Sequence, residues 1–379
     1  MDFMLNAEEL KFKDRCGEFA AAVLAPLAAR LGETDEAPRD MVAAMAGAGL
    51  FELLRPAELG GAGVKALPLC LARESFAGVF CAADVTLAMQ GLGSYPIALA
   101  GNQAQKEKYL DRVCRGELLT TFALTEPNAG SDVNGIESRA EKVDGGWVLN
   151  GEKVFISNGY SADILVTFVG TPTPESPRAL SAFILDKGMA GLSVAERLAV
   201  IAPHDLARLK YDNLFVPDEN LLGPAGRGYQ LAMQTLELFR VTVGAAALGI
   251  GQAALDASLA YTKHRRQFGQ ALSDFQTTRL KLAEMATEMD AARGLVYRAA
   301  IAKDRGYPEV AKKSSMAKLY ATEAAFRVAD MAVQLHGGLG VSKGSAPERL
   351  FREIRALRIY EGTSEIQKLV IAHHLLSEA

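Results

Sequence analysis

A block with strand grammar set between two long stretches with helix grammar does most to limit what this chain can fold into. From about 120 to 220 the runs WVLNGEKVFISNG, DILVTFVG, ALSAFILD and LARLKYDNLFVP are short, β-rich and divided by Gly, Asn, Asp and Pro. They predict a compact β-domain, a barrel or a sandwich. Residues 6 to about 117 instead cluster apolar side chains at helical spacing, interrupted by Pro38, Pro56, the run Gly60-Gly61-Ala62-Gly63 and Pro96, and predict several helices. After Gly228 the helical pattern returns. Leu282, Met285, Met289, Ala292, Val296 and Ala299 recur at steps of three and four and mark one packed stripe, with the methionines as core filler. A further helix is expected over 312–335 and a last one after Gly362, while TPTPESP at 171–177 reads as an exposed loop of the β-domain.

The chain has 379 residues, 49% of them hydrophobic, which is more than one compact core usually holds. Three consecutive domains are expected: an all-α domain over 1–120, a β-domain over 121–226 and a helical bundle over 227–379. Net charge is −4 with both signs spread along the chain, so there is no electrostatic reason to expect nucleic acid or an anionic membrane as partner. Cys16, Cys70, Cys81 and Cys114 show no metal-type spacing and read as small buried hydrophobes of a reducing compartment. The start MDFMLNAEEL lacks the character of a targeting peptide, Ser377 to Ala379 are not a peroxisomal tail, and no continuous apolar run suits a membrane span. A cytoplasmic protein without an integral membrane segment and without metal is expected.

Gly249 and Gly251 resemble part of a dinucleotide fingerprint, but no strand precedes them, and close helix packing is the better reading. The run from Gly223 to Gly228 has no Walker lysine and reads as a turn. TEPNAGSD at 125–132 is richer in small polar groups than a reversal requires: its backbone N–H groups and the hydroxyls of Thr125 and Ser131 suit a flavin edge or a pyrophosphate, and equally a surface turn. QLHGG at 334–338 reads as a helix end with a satisfied His336. In YEGTSEIQ at 360–367, Glu361 stands at the edge of a bend, and Thr363 or Ser364 can cap the next helix.

Taken together, FALTEPNAGSDV (122–133), VFISNG (154–159), VPDENLLG (216–223), HRRQFG (264–269), QLHGG and IYEGTSEIQKLVIAHHLL (359–376) resemble the acyl-CoA dehydrogenase family over the whole length. The resemblance implies an N-terminal helical domain, a middle β-barrel domain and a C-terminal four-helix bundle enclosing FAD and an acyl-CoA, in a homotetramer that passes electrons to electron-transferring flavoprotein. It implies flavin contacts at Phe122, Leu124, Thr125, Gly130, Ser131, Phe155, Ile156 and Ser157. Arg265, Phe268, Gln276, Gln334, Leu335, Gly337 and Gly338 match contacts to the FAD of a neighbouring subunit, and Thr363 and Glu365 match the pyrophosphate or adenine side. Ser131, Glu237, Arg240 and Gly362 match positions beside the substrate, although an ion pair between Glu237 and Arg240 is an equal account of those two. Glu361 matches the base that removes a proton from C2 of the thioester while the flavin takes a hydride from C3. The branch that draws its base from the residue before the matching arginine is disfavoured, since Phe239 precedes Arg240 here.

Three departures bear on substrate choice. Phe155 stands where Trp is frequent, the stretch near 201–206 is IAPHDL rather than small residues, and Asp84 occupies a helix that lines the acyl pocket in relatives. Asp84 is either turned away or capping, or a second proton-abstracting group as in cyclohexane- and cyclohexene-carboxyl-CoA dehydrogenases. A glutaryl-type pocket ranks low, because Ala83 stands at the expected arginine, unless Arg73 reaches in. An acyl-CoA oxidase and a catalytically silent assembly or lipid-binding relative are the remaining alternatives.

Overall fold

The computed structural model describes residues 5–377, so the readings of the first four and last two residues lie outside it. In chain order the helices before the β-rich block are α1 (Ala7–Phe19), α2 (Ala25–Leu31), α3 (Arg39–Gly47), α4 (Ala66–Ala77), α5 (Cys81–Ala100) and α6 (Gln103–Cys114). Eight strands follow: β1 (Thr120–Ala123), β2 (Arg139–Val143), β3 (Gly146–Ser157), β4 (Ile164–Gly170), β5 (Leu180–Asp186), β6 (Leu192–Arg197), β7 (Leu206–Pro217) and β8 (Leu221–Leu222). The chain then runs through α7 (Gly228–His264), a hairpin of β9 (Arg266–Gln267) and β10 (Gln270–Ala271), α8 (Gln276–Asp304), α9 (Val310–His336), α10 (Ala346–Leu357) and α11 (Ser364–Ser377). Helix α7 is long and apolar enough to cross a membrane, but 83% of its apolar window is buried within the fold, as in the core helix of a globular protein.

The chain forms two compact units. The first is built from the chain up to Gly32, Lys65–Asp84 and the chain from Glu237 onward; the second from Glu33–Val64 and Val85–Leu236. In the first, Met285, Met289, Ala292, Val296 and Ala299 of α8 are buried in one cluster with Val241, Ala245 and Leu248 of α7 and Ala321, Ala325 and Ala329 of α9. The prevalence of alanine there lets helix axes approach closely. Glycine extends this: a Cβ on Gly249 would stand 2.3 Å from the carbonyl oxygen of Glu74, and one on Gly251 would stand 2.3 Å from Sδ of Met289.

The middle domain is not the barrel that the resemblance implies. Its sheet runs β6-β7-β3-β2-β4-β5-β8, with β1 branching parallel from β4, and its ends do not pair with each other. The side chains explain the open path. Along β4, alternate residues enter two different cores: Ile164, Val166 and Phe168 join Ile97, Tyr109, Leu110 and Val113 of α5 and α6, whereas Leu165 and Val169 join a cluster made of strand residues alone. At one end β8 is two residues long and pairs only with β5; at the other, all of β6 beyond Leu192 is exposed. A closed barrel needs a continuous ladder, and neither end supplies one. The loop after β4 is exposed from Pro172 to Arg178.

Gly249→Val is expected to lower stability by about 1–3 kcal/mol, the usual range for an overpacked contact. Chemical denaturation reads it, and an unchanged midpoint would contradict the close approach of α7 to α4.

Candidate active site

Polar side chains of the first unit converge where the sequence places its candidate base. Tyr360, Glu361 and Gly362 link α10 to α11, and Glu361 takes a left-handed backbone (φ 53°) that non-glycine residues rarely adopt. Gly362 (φ 92°) takes a backbone that favours glycine, and a Cβ there would stand 2.7 Å from Nε2 of Gln367 and displace it. The bend is held from both sides. Buried Gln367 donates to the carbonyl oxygens of Glu361 (3.2 Å) and Gly362 (2.8 Å), and Lys318 Nζ from α9 donates to the latter at 2.7 Å. Thr363 Oγ1 accepts from the N–H of Ile366 (3.3 Å) at the start of α11, and Ser364 Oγ donates to Glu323 at 2.5 Å.

Glu361 is half-buried, but its Oε2 is withdrawn from solvent and makes no hydrogen bond, and Nε of Arg240 is in the same condition. Desolvation pushes the Glu361 carboxyl up to about 7, against the opposing pull of Arg73, Lys318 and Arg240 and with a smaller push from Asp84. Burial likewise pulls Lys318 down to about 8, with Glu361 resisting, and lowers Arg240. A carboxyl that titrates near neutrality with a free oxygen suits a general base.

Asp84 does not stand alone. Both of its oxygens accept from Arg73, at 2.7 and 2.9 Å, and Arg73 also donates to Thr242 Oγ1 at 2.7 Å. Arg73 and Asp84 are each 2% exposed, so this pair is the partner that a buried carboxylate needs. Glu237 is bonded by Lys303 of α8 at 2.6 Å.

The other candidates fall into two groups. In the second unit, Glu126 anchors the 125–132 loop: it accepts from Lys153 Nζ (2.7 Å) and from the backbone N–H groups of Glu137 (2.6 Å) and Ser138 (3.1 Å). Lys153 is fully buried and lowered to about 8 by desolvation, against the pull of Glu126; burial would raise Glu126, but the Lys153 charge and these bonds hold it below its ordinary value. The N–H of Val154 donates to Thr125 O (2.9 Å) and Thr121 Oγ1 to Ser157 O (2.6 Å), which brings the Phe122–Thr125 segment beside Phe155, Ile156 and Ser157. Leu124 and Ile156 are buried beneath, Gly130 and Ser131 are exposed, and a Cβ on Gly130 would meet nothing within 4 Å. Phe155 is held at φ 55° where the pairing of β3 with β7 slips, and stands 59% exposed. In the first unit, Tyr261 stacks on His336 (ring centroids 4.3 Å apart), linking the end of α7 to the end of α9. That brings the segment carrying Arg265 and Phe268 toward Gln334, Leu335, Gly337 and Gly338. Phe268 sits at φ 50°, 94% exposed; Arg265, Gln276 and Glu365 are exposed and Thr363 is half-buried.

These donor sets fit FAD: an exposed aromatic on a strained backbone, hydroxyls of Thr125, Ser131 and Ser157 and open backbone at Gly130 suit a polar-edged ring, and Arg265 with Phe268 suits a phosphate and a base. Sequence reasoning missed Glu126, Lys153, Lys318 and the role of Arg73. Only Glu126 had a local signal, a carboxylate placed at the start of a turn made mostly of small residues.

Comparison with known proteins accords with this arrangement. Family models described as the acyl-CoA dehydrogenase N-terminal, middle and C-terminal domains match residues 6–117, 121–214 and 226–376. An acyl-CoA dehydrogenase of Bacillus subtilis (strain 168) is 40% identical over 98% of this chain and 99% of its own. Butyryl-CoA dehydrogenase from Megasphaera elsdenii superposes with a TM-score of 0.92 at 36% identity, covering 99% of this chain and 100% of that one. A chain solved in work on the electron transferring flavoprotein of Acidaminococcus fermentans gives a TM-score of 0.94 at 37% identity, with the same coverage. The chain belongs to the acyl-CoA dehydrogenase family.

Arg73→Met is expected to lower stability by about 3–5 kcal/mol, because it leaves Asp84 buried without its counter-charge. Combining it with Asp84→Leu should recover part of the loss in a double-mutant cycle followed by denaturation. Additive losses would show that the two side chains do not depend on each other.

Proposed function

We propose that this chain catalyses FAD-dependent α,β-dehydrogenation of an acyl-CoA thioester and delivers the electrons to an electron-transferring flavoprotein. The observation that carries this reading is Glu361: a carboxylate with an unbonded oxygen, titrating near 7, on a strained bend beside three cations. Glu361 removes the proton from C2 of the thioester. The developing negative charge at the thioester is accommodated by the electropositive surroundings, to which Arg73, Arg240 and Lys318 contribute. FAD, when bound, supplies the acceptor for the hydride that leaves C3. Phe122, Leu124, Thr125, Gly130, Ser131, Phe155, Ile156 and Ser157 would hold it, with Arg265, Phe268, Gln276 and Gln334 to Gly338 meeting a FAD across a subunit boundary and Thr363 and Glu365 on the pyrophosphate or adenine side of the cofactor. A homotetramer is part of the proposal, and the exposed apolar side chains of Leu339, Val341, Leu369 and Leu376 support it.

The electron-transferring flavoprotein rests on the likeness to the Acidaminococcus chain. An aspartate that serves as a second base must release its cation first. Asp84 spends both oxygens on Arg73, so the pair favours a structural and electrostatic role for it over the cyclic-substrate reading.

Glu361→Gln should retain FAD and bind acyl-CoA, yet lose at least ~100-fold in the rate of flavin reduction, the lower end of a general-base contribution. Anaerobic stopped-flow bleaching of the flavin measures this, and near-wild-type reduction would remove Glu361 from the role. The base form of a carboxyl titrating near 7 accumulates as pH rises, so kcat/KM should climb roughly tenfold between pH 6 and pH 8. A profile already flat above pH 5 would mean an ordinary carboxylate.

A further inference from the structure

The IAPHDL stretch lies in the loop between β6 and β7, which is closed by the N–H of Leu198 donating to Leu206 O at 2.9 Å. It is fastened to its surroundings at several points. The N–H of His204 donates to Asp35 Oδ1 (3.1 Å), and the N–H of Asn158 donates to the carbonyl oxygen of Asp205 (2.8 Å). The buried carboxylate of Asp205 accepts from the N–H groups of Tyr160 (3.3 Å) and Ser161 (3.1 Å). Within that frame Nε2 of His204 stands 2.8 Å from Oγ of Ser157, whose own carbonyl is fixed by Thr121.

Burial holds the imidazole neutral, down to about 4, with Asp35 pulling the other way. Asp35 and Asp205 are the charged groups nearest in the chain of contacts, and Glu36 and Arg197 pair with each other at 2.9 Å. A neutral imidazole has one donor and one acceptor nitrogen, and the two tautomers exchange those roles. With Nε2–H donating to Oγ, the serine hydroxyl hydrogen is free to donate outward. With Nε2 accepting from the hydroxyl, the lone pairs of Oγ face outward instead.

We propose that His204 is a positioning residue for the flavin: its neutral ring completes the hydrogen bonding of Ser157 in either sense, so that the hydroxyl presents a donor or an acceptor to the edge of the bound ring. The inference rests on the reading that Ser157 meets FAD. A redox cofactor gains and loses protons at its polar edge, so a side chain able to answer in both senses weighs on the relative affinity for the oxidised and reduced forms.

Spectroelectrochemical titration of the FAD-loaded protein tests this with wild type, His204→Leu, His204→Gln, Ser157→Ala and the His204→Leu/Ser157→Ala pair. His204→Leu should change the ratio of affinities for oxidised and reduced FAD by about tenfold, equivalent to roughly 30 mV for a two-electron couple. Ser157→Ala should shift it in the same direction, the double variant should go no further than the larger single, and His204→Gln, whose amide both donates and accepts, should recover most of the shift. A wild-type potential in His204→Leu, or additive shifts in the double variant, overturns the proposal. Nitrogen-15 shifts of the His204 ring read the same couple without any variant: a neutral ring whose protonated nitrogen changes on flavin reduction is expected, and a ring that does not change overturns it. A wild-type protein that takes up no FAD overturns this inference together with the reading beneath it, whereas a flavinated wild type with unshifted variants overturns this inference alone.

Discussion

Withdrawing the Glu361 carboxylate from water among three cations is the constraint around which the polar side chains of the candidate site are arranged. Each cation comes from a different helix, Arg73 from α4, Arg240 from α7 and Lys318 from α9, and desolvation raises the carboxyl more than their charges lower it. That balance is what leaves the group near neutrality. Deeper burial without the cations would fix the proton in place, and stronger pairing would make the carboxylate too weak a base. Two of the cations have second partners, Asp84 for Arg73 and the Gly362 carbonyl for Lys318, so neither is free to collapse onto Glu361. The packing of the helices that carry these side chains is therefore part of the chemistry, and the glycine at 249 and the small residues around it keep α7 against α4.

The second unit uses a buried charge for a different end. Lys153 and Glu126 fasten a loop to a sheet. Glu126 gathers the backbone of 137 and 138, and Lys153 gathers the carbonyl of Leu124, so the exposed turn bearing Gly130 and Ser131 stands on a rigid base. The left-handed backbone at Phe155, at one of two places where the pairing of β3 with β7 slips, turns an aromatic out of the strand. A flavin binding site needs such fixed edges, because its hydrogen-bonding atoms are few and its ring is planar.

Much of this was legible in the chain. The α, β, α grammar follows from the change of hydrophobic period, and the expected helix over 312–335 is α9, Val310–His336. The bend at Glu361 was signalled by the glycine that follows it and the cap at Thr363. His336, expected as a satisfied histidine at a helix end, bonds Ala332 O at 2.7 Å and stacks on Tyr261. Other features are tertiary. Whether a row of strands closes depends on which face each alternate residue finds, and β4 finds two different cores, something its even run of buried residues does not declare. Arg73 and Asp84 are eleven positions apart on separate helices, and Lys153 reaches back to a loop twenty-seven residues earlier, so no local pattern joins them. The ring of His204 likewise meets a partner forty-seven residues earlier, Ser157, which no local pattern joins to it.

The role of Glu361 as base stands or falls on its own ionisation. Infrared difference spectra of the carboxyl band, taken across a pH titration of the wild-type protein and of Glu361→Gln, isolate that one side chain. A band that passes from protonated to ionised with a midpoint near 7 in the absence of substrate is expected. A midpoint in the ordinary glutamate range would contradict it.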